Sequence, residues 1–523
     1  MAYNTGRAAT RGKTPQQSRF AQIPDVRIPR SVFNRSCGLK TTFDTGFLVP
    51  IFVDEALPGD TMALRMDTVM RLSTPIYPIM DNMWADFFFF AVPNRLLWVN
   101  WEKFNGAQDD PGDSIAFTIP QMTETPAEES LSDYLGIPIG NSLTFNSLWH
   151  RAYNLIFNEW FRDQNLTDSA VVDTDNGPDT PGDYVLRRRA KRHDYFTGCL
   201  PFTQKGDPVT LPLGTTAPVI GDTTTDEIPT WDGDVTGIGR NLTGGGSTPT
   251  SWNAALQGNA VWADPKLVAD LSSATGATIN AIREAFQIQR LLERDARGGT
   301  RYQEIIRSHF GVVSPDARLQ RPEYLGGGST PIDIHAVAST TELTKTVGEL
   351  GAFMVQASSG IGFTKSFTEH CVILGLVNVR ADLTYQQGLD RMFSRQTRYE
   401  FYWPALAHLG EQSVLNKEIF ADGSANDDLV FGYQERYGEY RYKPSKVTGR
   451  FRSDAALNLD EWHLALDFAS LPVLNNTFIE DNPPFDRVLA VPGDDQVLAD
   501  FNFTYRCARP MPTFGVPGLV DHF

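Results

Sequence analysis

The sequence predicts a mainly β fold of the sandwich type with long connections, on three observations. From Met62 to Leu72 the side chains alternate. Met62, Leu64, Met66, Met70 and Leu72 fall on one face and Arg65, Asp67 and Arg71 on the other, the period of a half-buried strand. The segment MWADFFFFAVPNRLLW places Phe87 to Phe90 on both faces, as in a strand covered on both sides. Near the end, FNFTYRCARP sets Phe501, Phe503, Tyr505 and Cys507 against Asn502, Thr504 and Arg506.

Taken in order, residues 1–36 form a basic arm rich in Arg, Gln, Pro and small residues. Strands are expected over roughly 38–122. TTFDTGFLVPIFVDEAL alternates through Phe43, Phe47, Val49, Ile51 and Val53 but carries Pro50, which suits an edge strand or a bulge. Over 143–161, Phe145, Leu148, Trp149, Ala152, Tyr153, Ile156, Phe157, Trp160 and Phe161 recur at three- and four-residue steps, predicting an amphipathic helix with an aromatic core or contact stripe. Residues 207–264 are rich in Gly, Thr and Pro and hold seven acids against Arg240. Such a stretch predicts a long surface excursion, held by contacts with neighbouring subunits. Two helices follow, through Ile279, Ile282, Phe286 and Leu291 or Leu292, and through Tyr302, Ile305, Ile306, His309 and Phe310, parted by Gly298-Gly299. Strands resume in AFMVQAS and CVILGLVNVRADLTY, and FGYQERYGEYRY reads as an aromatic-rich strand or hairpin. Strands thus lie at both ends, and a single domain requires pairing between partners distant in sequence.

The net charge is −17, which disfavours a nonspecific nucleic-acid coat over the whole surface. The charge is segregated, however. Residues 1–40 carry eight cations against Asp25, an arm suited to an anionic partner. A second basic run, VLRRRAKRHDYF, holds Arg187, Arg188, Arg189, Lys191 and Arg192. Five cations so close are expected to face water, acidic neighbours or phosphate. Cys37, Cys199, Cys371 and Cys507 lie far apart with no C-x-x-C, predicting buried free thiols. There is no apolar signal region and no run of membrane-spanning length, so membrane insertion is not expected.

No P-loop, H-E-x-x-H or G-x-S-x-G is present, and GIGRNLTGGG lacks the third glycine of a dinucleotide fingerprint. The eight histidines are scattered. Glu369, His370 and Cys371 adjoin, but neighbours on a strand point to opposite faces. The acidic cluster DTDNGPDTPGD at Asp173–Asp183 only partly matches a calcium loop, because Gly177 takes a ligand position and no Glu closes it. Calcium is the one metal this cluster brings into question, and no other cofactor or metal is expected. No catalytic set emerges, and an enzyme is not expected.

SVFNRSCGLKTTFDTGFLVPIFVDEALPGDT, ADFFFFAVPNRLLW, RRRAKRHDYFTGCLPF, RYQEIIRSHFGVVSPDARLQRPEYLGG and FNFTYRCARPMPTFGVPGLVDHF together resemble the major capsid proteins of microviruses, and within them the gokushovirus-like branch. The resemblance runs from about Pro29 to Phe523 and is weakest over 207–264. It implies an eight-stranded antiparallel jelly roll with long insertions, from 37 to 523, interrupted by a helical insertion at about 126–200 and a surface protrusion at about 205–265. It also implies a structural subunit that assembles with copies of itself into a small icosahedral shell around circular single-stranded DNA. Further partners by resemblance are minor virion proteins (pilot and small DNA-binding proteins) and a host-surface receptor. The implied location is the virion, assembled in the host bacterial cytoplasm. DNA-facing candidates are Arg7, Arg11, Lys13, Arg19, Arg27, Arg30, Arg187, Arg188, Arg189, Lys191 and Arg192. Protrusion candidates at the threefold axes are Asp222, Asp226, Trp231, Asp232 and Asp234.

Two other classes compete. A carbohydrate-binding or -cleaving β-sandwich would use the aromatics and acid pairs such as Glu480-Asp481 or Asp494-Asp495. A single-stranded-DNA-binding module would use the basic segments, against the overall negative charge.

Overall fold

The structure is a computed structural model. It describes residues 29–209, 278–313, 320–340 and 349–514, and between 210 and 277 the backbone of five short strands. The chain divides into two compact units, one of Met1–Pro201 with Val313–Phe523 and one of Phe202–Val312.

Ten strands form the two large sheets of the first unit among the described residues. They are β1 (Ser31–Asn34), β2 (Cys37–Phe43), β3 (Val49–Ala56), β4 (Thr61–Leu72), β5 (Met83–Pro93), β6 (Glu323–Pro331), β7 (Asp333–Ala338), β8 (Leu350–Ser366), β9 (Cys371–Ala381) and β10 (Val497–Arg509). One sheet runs β1-β10-β4-β8-β7, with β2 also on β10, and the other runs β6-β5-β9-β3. All these pairs are antiparallel. Among them, β2 pairs with β10, β3 with β9, β4 with β8 and β5 with β6. First with last, second with second-last and so inward is the pairing of one long hairpin ribbon rolled into two sheets. That is the strand order of a jelly roll, with β1 and β7 added at the sheet margins.

The predicted alternation sets the core. Every even residue of β4 from Met62 to Leu72 is buried, while Arg65, Val69 and Arg71 are exposed. On β10, Phe501, Phe503, Tyr505 and Cys507 point inward. Rings meet across the two sheets: Phe52 with Phe503 at 5.1 Å, Phe89 with Phe363 at 5.6 Å and Phe87 with Phe501 at 6.4 Å between centroids. Each such pair adds about 0.5–1.5 kcal/mol beyond its buried area. Pro50 sits on edge strand β3 beside a register shift against Gly375 and Leu376, so both readings of that proline hold. Gly375 is required by crowding, since a Cβ there would lie 2.8 Å from Phe52 and Phe89.

The four phenylalanines of β5 divide between two cores. Phe87 and Phe89 enter the sandwich interior. Phe90 and Val92, with Val372, Leu374 and Leu376 of β9, form the opposite face. Helix α1 (Leu148–Ile156) covers that face through Leu148, Ala152, Tyr153 and Ile156, and a π-helical turn at Phe157–Phe161 continues it. This second layer explains why all eleven residues of β9 are buried. The helix begins later than the periodicity predicts, because Phe145 belongs to a short strand, Leu143–Asn146, paired with Gln121–Glu124. Aromatic spacing does not distinguish that hairpin from a first helical turn.

In the second unit, α2 (Ile279–Gly298) and α3 (Tyr302–Phe310) occupy the predicted spans. Thr278 caps α2 by accepting from the Ala281 N–H at 3.1 Å. The His309 imidazole meets Asp295 at 2.7 Å and ties the two helices together. Val219–Gly221 pairs with Leu267–Ala269, and Ile228–Asp232 pairs with Gly239–Leu242 and Ala260–Trp262. No helix of the described residues is long and apolar enough to cross a membrane.

Candidate functional site

The basic run is threaded as a strand-like segment between two others. The Leu48 N–H donates to the Arg187 carbonyl and the Arg189 N–H to that of Gly46. On the other side the Lys191 N–H donates to Ile479 and the Asp481 N–H to Arg189. The threading decides what its cations meet. The Arg188 guanidinium lies 3.9 Å from the Phe47 ring centroid and donates to the carbonyls of Thr45 and Asp481. Arg187 lies over Phe157. Arg189 pairs with Asp86 at 2.7 Å. Lys191 is buried and donates to the Phe478 carbonyl at 2.5 Å. Burial pushes its ammonium below the usual range, against the pull of Asp481, Asp194 and Glu480. Four of the five cations therefore have partners within the subunit. Arg192 is exposed and has no ion-pair partner among the described residues. The expectation that the run faces water, acids or phosphate omitted the partners most of it finds: ring faces and backbone carbonyls.

Asp86 is the hub beneath this run. Its carboxylate accepts from Arg189, from Arg380 of β9 at 2.9 Å and from Ser329 of β6 at 2.5 Å. Burial pushes that carboxyl up, but the Ser329 and Arg380 hydrogen bonds and both guanidinium charges outweigh it and hold it below the usual range. Asp481, 5% exposed, is the opposite case. Burial pushes it up to about 6 despite Lys191, Arg189, Arg380 and Arg188. Its folded value exceeds its unfolded value, so the stability it contributes is present below pH 3.8 and lost as pH rises through about 6. Urea denaturation across that window is expected to show the wild type losing up to about 3 kcal/mol relative to Asp481→Asn, whose difference from wild type carries this slope. A pH-independent difference between the two would contradict the assignment.

The arm residues Arg7, Arg11, Lys13, Arg19 and Arg27 lie outside the described residues. Arg30 donates to the Thr61 hydroxyl at 2.8 Å and to the Ala508 carbonyl, pinning the chain against β4 and β10. Trp231 and Asp232 end the strand Ile228–Asp232, whose backbone alone is described. Asp222, Asp226 and Asp234 lie outside the described residues.

The structure also arranges groups that resemble catalytic sets, and their geometry argues against that role. The Ser132 hydroxyl donates to Glu124 and lies 2.9 Å from His150 Nε2. Both Ser132 and His150 are buried, and burial pushes His150 down to about 4. The carboxylate touches the serine and not the imidazole, so nothing orients a base. Glu369 pairs with Arg95 at 2.8 Å, His370 packs on Trp101, and burial pushes the Cys371 thiol up to about 12. At Glu129 the carboxyl is pushed up to about 7, first by its hydrogen bond with Asp495 and then by burial. Two carboxyls in direct contact are closer than either glycosidase geometry requires. In the acidic cluster, Asp179 is taken by Arg151, the Asp173 carboxylate accepts from Tyr184, and the Asp175 carboxylate accepts from the Gly177 N–H. No group of three His, Cys, Asp or Glu side chains able to hold a metal occurs among the described residues. Cys199, Cys371 and Cys507 are buried free thiols as expected, but Cys37 is exposed, because β2 lies at the margin of its sheet.

Comparison with known proteins gives the role that these surfaces serve. A family model described as capsid protein (F protein) matches residues 21–519. The chain belongs to the capsid protein (F protein) family. It is similar to capsid protein VP1 of Bdellovibrio phage phiMH2K, with 49% identity over 98% of this chain and 99% of the relative. Similarity extends to capsid protein VP1 of Chlamydia phage 1, with 43% identity over 96% and 98%, and of Spiroplasma virus 4, with 37% over 96% and 97%. The chain is thus a structural major capsid protein of the gokushovirus-like microviruses, a virion component and not an enzyme. A capsid protein acts by meeting copies of itself, so its functional sites are surfaces. Besides the basic run, the structure presents one that sequence reading missed. Residues 391–403 and 436–446 carry exposed aromatics interleaved with cations. The signal was present in FGYQERYGEYRY, but strand periodicity drew attention to the backbone and away from what the side chains display.

Proposed function

We propose that copies of this subunit close into a small icosahedral shell around a circular single-stranded DNA genome, within the host bacterial cytoplasm. The observation that carries this reading is the family match along nearly the whole chain, joined to a jelly roll whose long insertions leave broad surfaces for neighbours. The basic arm and exposed Arg192 are the segments suited to the genome, neutralising phosphate without reading sequence. The excursion is suited to a protrusion at the threefold axes, facing a host receptor. Helix α2, which follows the excursion in the chain, presents Ile279 and Phe286 exposed, apolar side chains of the kind neighbouring copies cover. Pilot and small DNA-binding proteins complete the particle in this reading. It is tested by digesting purified particles with nuclease. The reading expects full-length single-stranded DNA to survive inside the shell and to become digestible once the shell is opened. Particles that enclose no nucleic acid would contradict it.

Deleting residues 215–255 is expected to leave the jelly roll's melting temperature within a few degrees of wild type while particles lose their surface knobs. A deletion that abolished folding of the subunit would refute the protrusion assignment.

A further inference from the structure

Residues 382–496, between β9 and β10, build a third hydrophobic cluster from Tyr385, Val414, Ile419, Phe431 and Phe478 with Tyr195, Phe196 and Cys199. Next to it lies a surface rich in exposed aromatic side chains. Met392, Phe393, Tyr399, Phe401, Tyr402 and Trp403 are all exposed, Phe393 at 70% and Tyr399 at 66%. The surface is held in shape. Arg395 pairs with Glu439 at 2.9 Å and lies 4.5 Å from the Tyr440 ring centroid and 5.3 Å from that of Phe401. Arg398 covers Trp403 at 4.6 Å and Arg436 covers Tyr437 at 4.9 Å. Beside it opens a cleft of about 220 Å³, lined in part by Arg391, Arg395, Glu418, Tyr440, Tyr442 and Lys443.

We infer that this face is an inter-subunit contact and that its occupant is an acidic surface of a second copy of this chain. The inference rests on the shell-subunit reading and names the partner of one surface. Tyr, Trp, Phe, Met and Arg are the residues enriched in protein interfaces, and Trp, Tyr and Arg dominate their hot spots. The two segments hold seven cations, and with the pairing carboxylates Asp390, Glu418 and Glu435 beside their own Glu400 and Glu439 the face keeps a net charge of +2 on a chain of net charge −17, so the rest of any copy is complementary to it. A face that meets a different surface of its neighbour makes a head-to-tail contact, which closes into rings when the rotation allows. Single-stranded DNA is the lesser fit. It needs open ring faces and unpaired cations. Here guanidinium groups already cover Trp403, Tyr437 and Tyr440. Arg391, Arg395, Arg441 and Lys446 are already paired, with Glu418, Glu439, Glu435 and Asp390.

The test uses the full chain under conditions in which wild type forms shells. Two variants are compared, the double variant Phe393→Ser with Tyr399→Ser and the single variant Arg398→Glu. Closed shells are counted by sedimentation and electron microscopy, and folding is followed by melting temperature. The expected result is a drop in shell yield of at least about tenfold in each, with unchanged melting and with partial rescue of Arg398→Glu by salt. Wild-type yield in both folded variants would overturn the inference. So would normal shells that have lost their DNA, which would reassign the face to nucleic acid. If wild type itself forms no shells, the shell-subunit reading fails and the inference fails with it.

Discussion

Replacing Arg151 with methionine is expected to destabilise the subunit by about 3–5 kcal/mol. Arg151 projects from α1 and is fully buried. Its guanidinium grips Asp179 in two hydrogen bonds of 2.7 and 2.5 Å and donates to the carbonyls of Leu97 and Asp175, each at 3.0 Å. One side chain thus ties the helical layer, the turn after β5 and the acidic loop at 173–183. Its removal leaves the Asp179 carboxylate uncompensated in a site where it has no exposed side-chain surface. Urea denaturation measures the loss. The double variant Arg151→Met with Asp179→Leu is expected to recover most of it, because a buried pair replaced by apolar groups costs far less than a pair broken on one side. A loss below about 1 kcal/mol in the single variant would show that the pair is not what fixes this layer.

Asp86→Ala is expected to cost a similar amount, about 3–5 kcal/mol. Arg380 is almost fully buried and Arg189 mostly so, and without Asp86 each loses its main anionic partner. The effect depends on pH in a defined direction. The folded carboxyl lies below its usual range. The stability it contributes is therefore present above the unfolded value of 3.8 and lost as pH falls through the folded one. Wild type and Asp86→Ala should converge in acid and diverge toward neutrality. A difference that did not shrink in acid would assign the cost to packing instead of charge.

The sandwich was legible in the sequence because β4 and β10 keep strict alternation and because Phe87 to Phe90 demand two buried faces. The pairing of β2 with β10 was not legible. It joins residues more than 450 positions apart, and periodicity carries no information about which strand is a neighbour. The family resemblance implied a jelly roll without saying which strands pair, and the order comes from the structure. The basic run shows a second limit. Composition identified five cations, but the threading between residues 46–48 and 479–481 decided that four of them would find partners inside the subunit. The aromatic face of 391–446 shows a third. Its rings look like core in a linear sequence, and their exposure appears only once cluster residues such as Phe431 and Phe478 fill the space beneath.

The central claim is that this chain is a shell subunit. It is tested most directly by purifying the full chain, raising its concentration and following it by sedimentation beside negative-stain electron microscopy. The account predicts uniform closed particles bearing surface knobs, with little material between subunit and shell. A chain that remains a well-folded monomer at every concentration, alone and when co-expressed with the minor virion proteins and single-stranded DNA, would contradict it.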